Sequence, residues 1–137
     1  MATNKTQAAD LETTAIAQYY HAMDSGGLVV CRDIRTVYRH LYKKLYTDKI
    51  DGYHFDYDKS QRPIKFIESF CHLPKVRGNP LCKLDLWQKA MIEAIFGFVD
   101  AEGTRQYTEV FFTVARKQGK SALAAMIALY LLILDGE

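Results

Sequence analysis

At 137 residues, with 49% hydrophobic and 25% charged side chains, the chain can fold as one ordinary domain, or as one small domain and part of another. A formal net charge of +2 is too small to argue for nucleic acid by itself, and Cys31, Cys71 and Cys82 cannot all pair. Met1–Asp10 lacks the apolar core of a signal peptide, and the longest apolar run, Ala122–Leu134, is shorter than the ~20 residues of a membrane span, so a reduced, cytoplasmic setting is expected.

Ala2–Gln7 is expected to fray. From Ala8 the pattern turns helical, with Leu11, Ala15 and Tyr19 on one face and Ile16 beside it, until Asp24-Ser25-Gly26-Gly27 ends it. Val29, Val30 and Cys31 form a short apolar patch. A second helix is predicted from about Asp33 to Tyr46. Its apolar positions are Ile34, Val37, Tyr38, Leu41 and Leu45, while Arg35, Arg39, Lys43 and Lys44 fall largely on other faces. Those charges are not interleaved with a base-reading surface and read as a solvated face rather than a DNA contact. Tyr53, Phe55 and Tyr57 alternate with His54, Asp56 and Asp58, which predicts a brief extended piece. Asp58 or Ser60 then caps a third helix reaching about Phe70, with Pro63 in or near its first turn and Ile64, Ile67 and Phe70 on its buried side. Pro74, Gly78 and Pro80 mark Leu73–Pro80 as a loop. Cys71, His72 and Cys82 lack the second close ligand pair of a zinc site and read as packing or loop residues.

Leu84–Phe98 predicts a fourth helix, N-capped by Asp85, with Trp87, Met91 and Ile95 along one face and Ala90 and Ala94 close by. Trp87 reads as a core anchor. Gln88 is open to two readings, an ordinary exposed helix glutamine or a side chain whose amide reads the N6 and N7 edge of adenine. Asp100–Thr104 is a turn. Val110 to Val114 are β-branched or aromatic, the composition of a short buried strand. Ala115–Ser121 follows as ARKQGKS, and Ala122–Leu134 then lacks a polar stripe, which predicts a helix buried on all sides and stopped by Asp135-Gly136.

Strand, loop ending in Gly-Lys-Ser, and helix form the context in which proteins hold nucleotide phosphates. Gly119 would let the backbone approach an anion without a Cβ in the way. The N–H groups of the loop and the positive end of the following helix would face that anion. Lys120 would reach the β- and γ-phosphates, and the Ser121 hydroxyl would sit on Mg²⁺. Ala115, Arg116, Lys117 and Gln118 complete the loop. Val114 stands where the usual Walker A pattern has its first glycine, so the loop is a variant.

These segments together resemble the large terminase subunit of tailed bacteriophages, in particular its HK97-like branch. The resemblance is carried by Trp87-Gln88, FGFVD at Phe96–Asp100, GTRQY at Gly103–Tyr107, VARKQGKS at Val114–Ser121 and the closing Asp135-Gly136-Glu137. In the front half it is carried by Ser25–Gly27, Arg39-His40 and FIESFCH at Phe66–His72. Members of that family commonly lack the first loop glycine. The resemblance implies an ATP-driven motor that packages double-stranded viral DNA, joined to a nuclease, with portal and small terminase subunit as partners in the cytoplasm of a bacterial host. It implies that Gln88 contacts adenine, that Lys120 and Ser121 hold phosphates and Mg²⁺, and that Arg116 senses the γ-phosphate.

Hydrolysis by such a motor needs an acidic group at the end of another buried strand, and neither Asp135 nor Glu137 follows one. The expectation is therefore an N-terminal portion of a terminase, α/β but mainly helical. It comprises a helical region over 1–80 and, over 81–137, the first strand–P-loop–helix unit of an ASCE-type ATPase domain. Such a chain should bind ATP and Mg²⁺ without turning ATP over alone, and the apolar helix favours self-association. Two alternatives remain open. One is a portion of another P-loop helicase or translocase; the other is a non-catalytic docking module at Ala8–Phe70 for portal, small terminase subunit or DNA.

Overall fold

The computed structural model describes residues 11–47, 51–73 and 76–135. It is mainly helical, with five α-helices and one small two-stranded sheet among the described residues. In chain order these are α1 (Ala15–Asp24), α2 (Arg32–Leu45), β1 (His54–Phe55), α3 (Tyr57–Phe70), α4 (Leu86–Gly97), β2 (Phe98–Val99) and α5 (Lys120–Tyr130). A π-helical turn, Leu131–Asp135, continues α5.

The helix start predicted at Ala8 lies outside the described residues, and the helical conformation is interrupted at Thr13–Thr14 before α1 begins. Thr14 explains the interruption, since its hydroxyl donates to Leu11 O (2.7 Å) and accepts from Ala17 N (3.2 Å), capping the new helix. Gly26, at φ 78°, ends α1 where the paired glycines predicted an end. Helix α3 starts earlier than expected because Asp56 is the cap, its Oδ1 accepting from Lys59 N (2.9 Å). Pro63 therefore lies inside the helix rather than in its first turn. Its missing N–H leaves the Lys59 carbonyl without the usual i→i−4 partner.

Helix α4 is the centre of the packing. One apolar cluster joins Ile92 and Phe96 of α4 to Ile64, Phe66 and Ile67 of α3 and to Leu123, Met126 and Tyr130 of α5. A second joins Ala90 and Phe98 to α1 and α2 through Ile16, Tyr19, Met23, Tyr38, Leu41 and Leu45. The fully covered side of α4 is thus Ala90, Ile92, Glu93, Phe96 and Gly97. The face predicted as core, Trp87, Met91 and Ile95, is only half-buried and lines an open apolar groove with Ile34 and Val37 of α2. Ile34 and Val37, predicted inside, are accordingly exposed.

Strands β1 and β2 pair antiparallel, His54 opposite Val99 and Phe55 opposite Phe98, and tie the α2–α3 connection to the end of α4. The strand predicted at Val110–Val114 does not form. No described residue pairs with it, and a strand without a ladder partner leaves its backbone groups to water. Phe111 is 98% exposed, while Phe112 stacks on Trp87 at 5.9 Å between ring centroids. Helix α5 also departs from expectation. Leu123, Met126 and Tyr130 face the core, whereas Leu129 and Leu131 to Leu134 are exposed because α3 and α4 cover only one side.

Candidate functional site

The loop before α5 combines two backbone positions in the left-handed region, Lys117 at φ 67° and Gly119 at φ 73°. Nothing crowds Gly119, so it is the backbone angle rather than space that asks for glycine there. Lys117 adopts the same region with a Cβ, a conformation that costs about 1–3 kcal/mol and concentrates at functional positions. Gly119 is the N-cap of α5, and the first intrahelical bond runs from Leu123 N to Gly119 O (2.9 Å). The N–H groups of Lys120, Ser121 and Ala122 therefore head the helix without intrahelical acceptors.

A cavity of about 720 Å³ opens at this helix start, lined by Arg116, Lys117, Gly119, Lys120, Ser121 and Ala122 on one side and by Leu73 and Val76 on the other. Among the described lining residues three are cationic and none is acidic. Arg116 to Ser121 are all exposed and so accessible to a ligand. Free N–H groups, the positive helix end and three cations make a place for a polyanion, and the Ser121 hydroxyl stands among them. These residues fit a nucleotide's phosphates. The described residues hold no group of three or more His, Cys, Asp or Glu side chains that could bind a metal ion.

Of the other residues expected at the site, Ala115 and Gln118 belong to the loop but not to the cavity wall, and Gln88 lies outside that wall. Gln88 takes part in a capping box at the start of α4, its Oε1 accepting from Asp85 N (2.8 Å). Asp135, the last residue of the π-helical turn, pairs with Arg105 at 3.1 Å.

Pattern reading missed three kinds of residue. Leu73 and Val76 reach the cavity from a loop that gave no local signal. Lys44, placed with the solvated charges, is buried (4% exposed), bonds Gln106 Oε1 and lies over the rings of Tyr53, Phe98 and Tyr107 at 5.8, 5.1 and 5.6 Å. Burial holds its pKa below the usual lysine range, and the nearby Asp51 charge only partly offsets this. Glu93, on the covered side of α4, receives Ile16 N (2.9 Å) and Gln61 Nε2 (2.7 Å). Its polar character broke the apolar count that would have marked that side as core.

A cationic loop heading a helix is a place where a polyanion can bind, and comparison with known proteins gives the family of the stretch that contains it. Residues 86–137 match the family model for the terminase large subunit, ATPase domain, and over that stretch the chain is part of such a domain. The family implies nucleotide use, DNA as cargo and phage DNA packaging. No curated protein and no solved structure matches the chain. Among the described residues no helix is long and apolar enough to cross a membrane.

Proposed function

We propose that the chain is the N-terminal portion of a phage terminase large subunit of the HK97-like branch, and that its variant Walker A loop binds Mg–ATP. The observation that supports this most directly is the cavity at the start of α5, where Arg116, Lys117 and Lys120 surround unpaired helix-start N–H groups inside the segment that matches the ATPase family. Backbone N–H groups from Gly119 to Ser121 cradle the phosphates, Lys120 pairs with the β- and γ-phosphates, and the Ser121 hydroxyl holds Mg²⁺. Arg116 stabilises charge on the γ-phosphate. Gln88 contacts adenine through its Nε2 group, since the capping box uses only its Oε1. Bound Mg²⁺ neutralises charge on the phosphates; the acidic group that positions water for hydrolysis is not one of the cavity-lining residues.

In this reading the ATPase domain opens at residue 81 with its first strand–P-loop–helix unit, and Val110–Val114 becomes a strand when a neighbouring strand pairs with it. Residues 1–80 form the helical region in front. The whole motor acts on double-stranded viral DNA with portal and small terminase subunit, in the cytoplasm of the bacterial host.

Lys120 provides the test. Removing a charge-assisted phosphate contact of about 1.5–3 kcal/mol should weaken Mg–ATP binding by at least about tenfold in Lys120→Ala, measured by titration calorimetry. Circular dichroism should stay unchanged, because Lys120 is exposed. Equal affinity in the variant and the parent chain would remove the site assignment.

A further inference from the structure

We propose that Cys71 and Cys82 are a reversible redox pair: hydrogen peroxide oxidises them to an intrachain disulfide that fastens the end of α3 to the segment leading into α4. The pair does not depend on how the phosphate loop is read.

The two cysteines meet across an antiparallel contact. His72 bridges Leu81, Leu73 N donates to Pro80 O (2.9 Å) and Cys82 N donates to Cys71 O (2.7 Å). In that register Cys71 lies directly opposite Cys82. Side chains opposite one another project to the same face, and a hydrogen-bonded pair sets its Cα atoms ~5.5 Å apart. That falls inside the ~4.4–6.8 Å over which a disulfide closes without moving the backbone. Both thiols are buried in one apolar cluster, together with Ile67, Leu84 and Ile92. Two further bonds hold the register: Cys71 N, at the C-cap of α3, donates to Ile67 O (3.0 Å), and Leu84 N donates to Glu68 Oε1 (3.0 Å). Among the described residues no group of three or more His, Cys, Asp or Glu side chains claims these sulfurs for a metal ion.

The chemistry divides between the two sulfurs. Burial pushes the Cys71 thiol up. Cys82 is pushed up by burial first, and by the charges of Cys71, Glu68 and Asp85 after that. Fewer groups oppose the Cys71 thiolate, which gives it the first step. It attacks one oxygen of hydrogen peroxide, the O–O bond breaks, and the departing hydroxide takes up the Cys71 proton as water. Cys71 is then a sulfenic acid. The Cys82 sulfur attacks it, the S–S bond forms, and the sulfenic hydroxyl leaves as water with the Cys82 proton. Two thiols lose two electrons in all, and one peroxide becomes two waters. Apolar burial slows thiolate chemistry and admits only a small oxidant, so the pair answers to sustained peroxide rather than to bulky disulfides. Cys31, exposed at the N-cap of α2, lies outside the pairing.

The experiment treats the folded parent chain with hydrogen peroxide, blocks remaining thiols with iodoacetamide in denaturant, and maps the unreduced peptides by mass spectrometry. A linked Cys71–Cys82 peptide pair is expected, lighter by two hydrogens than the two reduced peptides together, and dithiothreitol should restore both thiols. Because the link closes a loop of the unfolded chain, the thermal midpoint should rise by several degrees on oxidation and return on reduction. Cys31→Ser removes the exposed thiol, so it should fold as the parent does, form the same link and run as a monomer on a non-reducing gel. Cys71 and Cys82 both still alkylated after Cys31 has been oxidised would overturn the pairing. A link from either of them to Cys31 overturns it too, as does a Cys71–Cys82 link that forms in urea but not in the folded chain.

Discussion

Glu93→Ala is expected to destabilise the chain by about 3 kcal/mol or more, because it leaves several buried donors without an acceptor at about 1–3 kcal/mol each. Glu93 is 1% exposed, on the covered side of α4. Its two carboxylate oxygens take up Ile16 N at 2.9 Å and Gln61 Nε2 at 2.7 Å, and the N–H of Ala15 bonds to it as well. One side chain thus closes the amino-terminal end of α1, joins it to α4 and holds α3 through Gln61. Truncation would strand two backbone donors and an amide in the interior, each costing about 1–3 kcal/mol, beside a new void. Total stability of ordinary domains is about 5–15 kcal/mol, so the urea midpoint should drop conspicuously. A change of less than about 0.5 kcal/mol, the usual size for a surface substitution, would show that the contact is not made in solution.

The same carboxyl gives the fold a pH dependence of a definite sign. Burial raises its pKa, and the N–H groups of Ala15 and Ile16, the Gln61 amide and the charge of Lys89 offset that rise only in part. Tyr38, on α2, faces it too, and its own pKa is pushed up by burial first and by the Tyr19 and Glu93 charges after that. A raised acid pKa means that the folded state holds the proton to higher pH than the unfolded chain does. The contribution of Glu93 is therefore complete below the ordinary carboxylate range and diminishes as pH rises through the raised value. Stability of the parent chain relative to Glu93→Gln should fall across that window. A relative stability that rises there instead would show that the hydrogen bonds outweigh desolvation.

Much of the local structure was legible, for reasons confined to neighbouring residues. Helices α2 and α4 follow from apolar spacing, and the loop ending at Gly119-Lys120-Ser121 does head a helix. What was not legible depends on residues distant in the chain. Trp87, Met91 and Ile95 form as good an apolar stripe as Ile92 and Phe96, and only the placement of α1 and α3 decides which side of α4 is covered. Lys44 reads as solvated until residues 53, 98 and 107 converge on it. Val110–Val114 has strand composition, but composition cannot supply the partner that makes a strand. The cationic side of the cavity was written in the run Ala115 to Ser121, whereas Leu73 and Val76 reach it from a loop more than thirty residues earlier.

Gly97→Ala should cost the upper end of the ~1–3 kcal/mol typical of overpacking, although it adds only one methyl group. A Cβ at Gly97 would fall 2.3 Å from Phe55 Cε2, 2.9 Å from Phe55 Cδ2 and 3.0 Å from Ser60 Cβ. Neither neighbour can yield cheaply. Phe55 is held in β1 opposite Phe98, with the two rings 5.2 Å apart, and Ser60 is fully buried in α3 with its hydroxyl donating to Tyr57 O. Gly97 O also accepts from Asp56 N (2.7 Å), and Asp56 is the cap of α3, so relief by moving the backbone would loosen that helix start. The junction thus couples the end of α4, within the ATPase-family segment, to the helices in front of it. Thermal unfolding should show the midpoint of Gly97→Ala lowered by several degrees. Phe55→Leu should recover part of that loss when added to Gly97→Ala, while destabilising the parent chain. Such a sign reversal in a double-mutant cycle is the mark of a steric contact, and additive losses would mean the two residues do not touch.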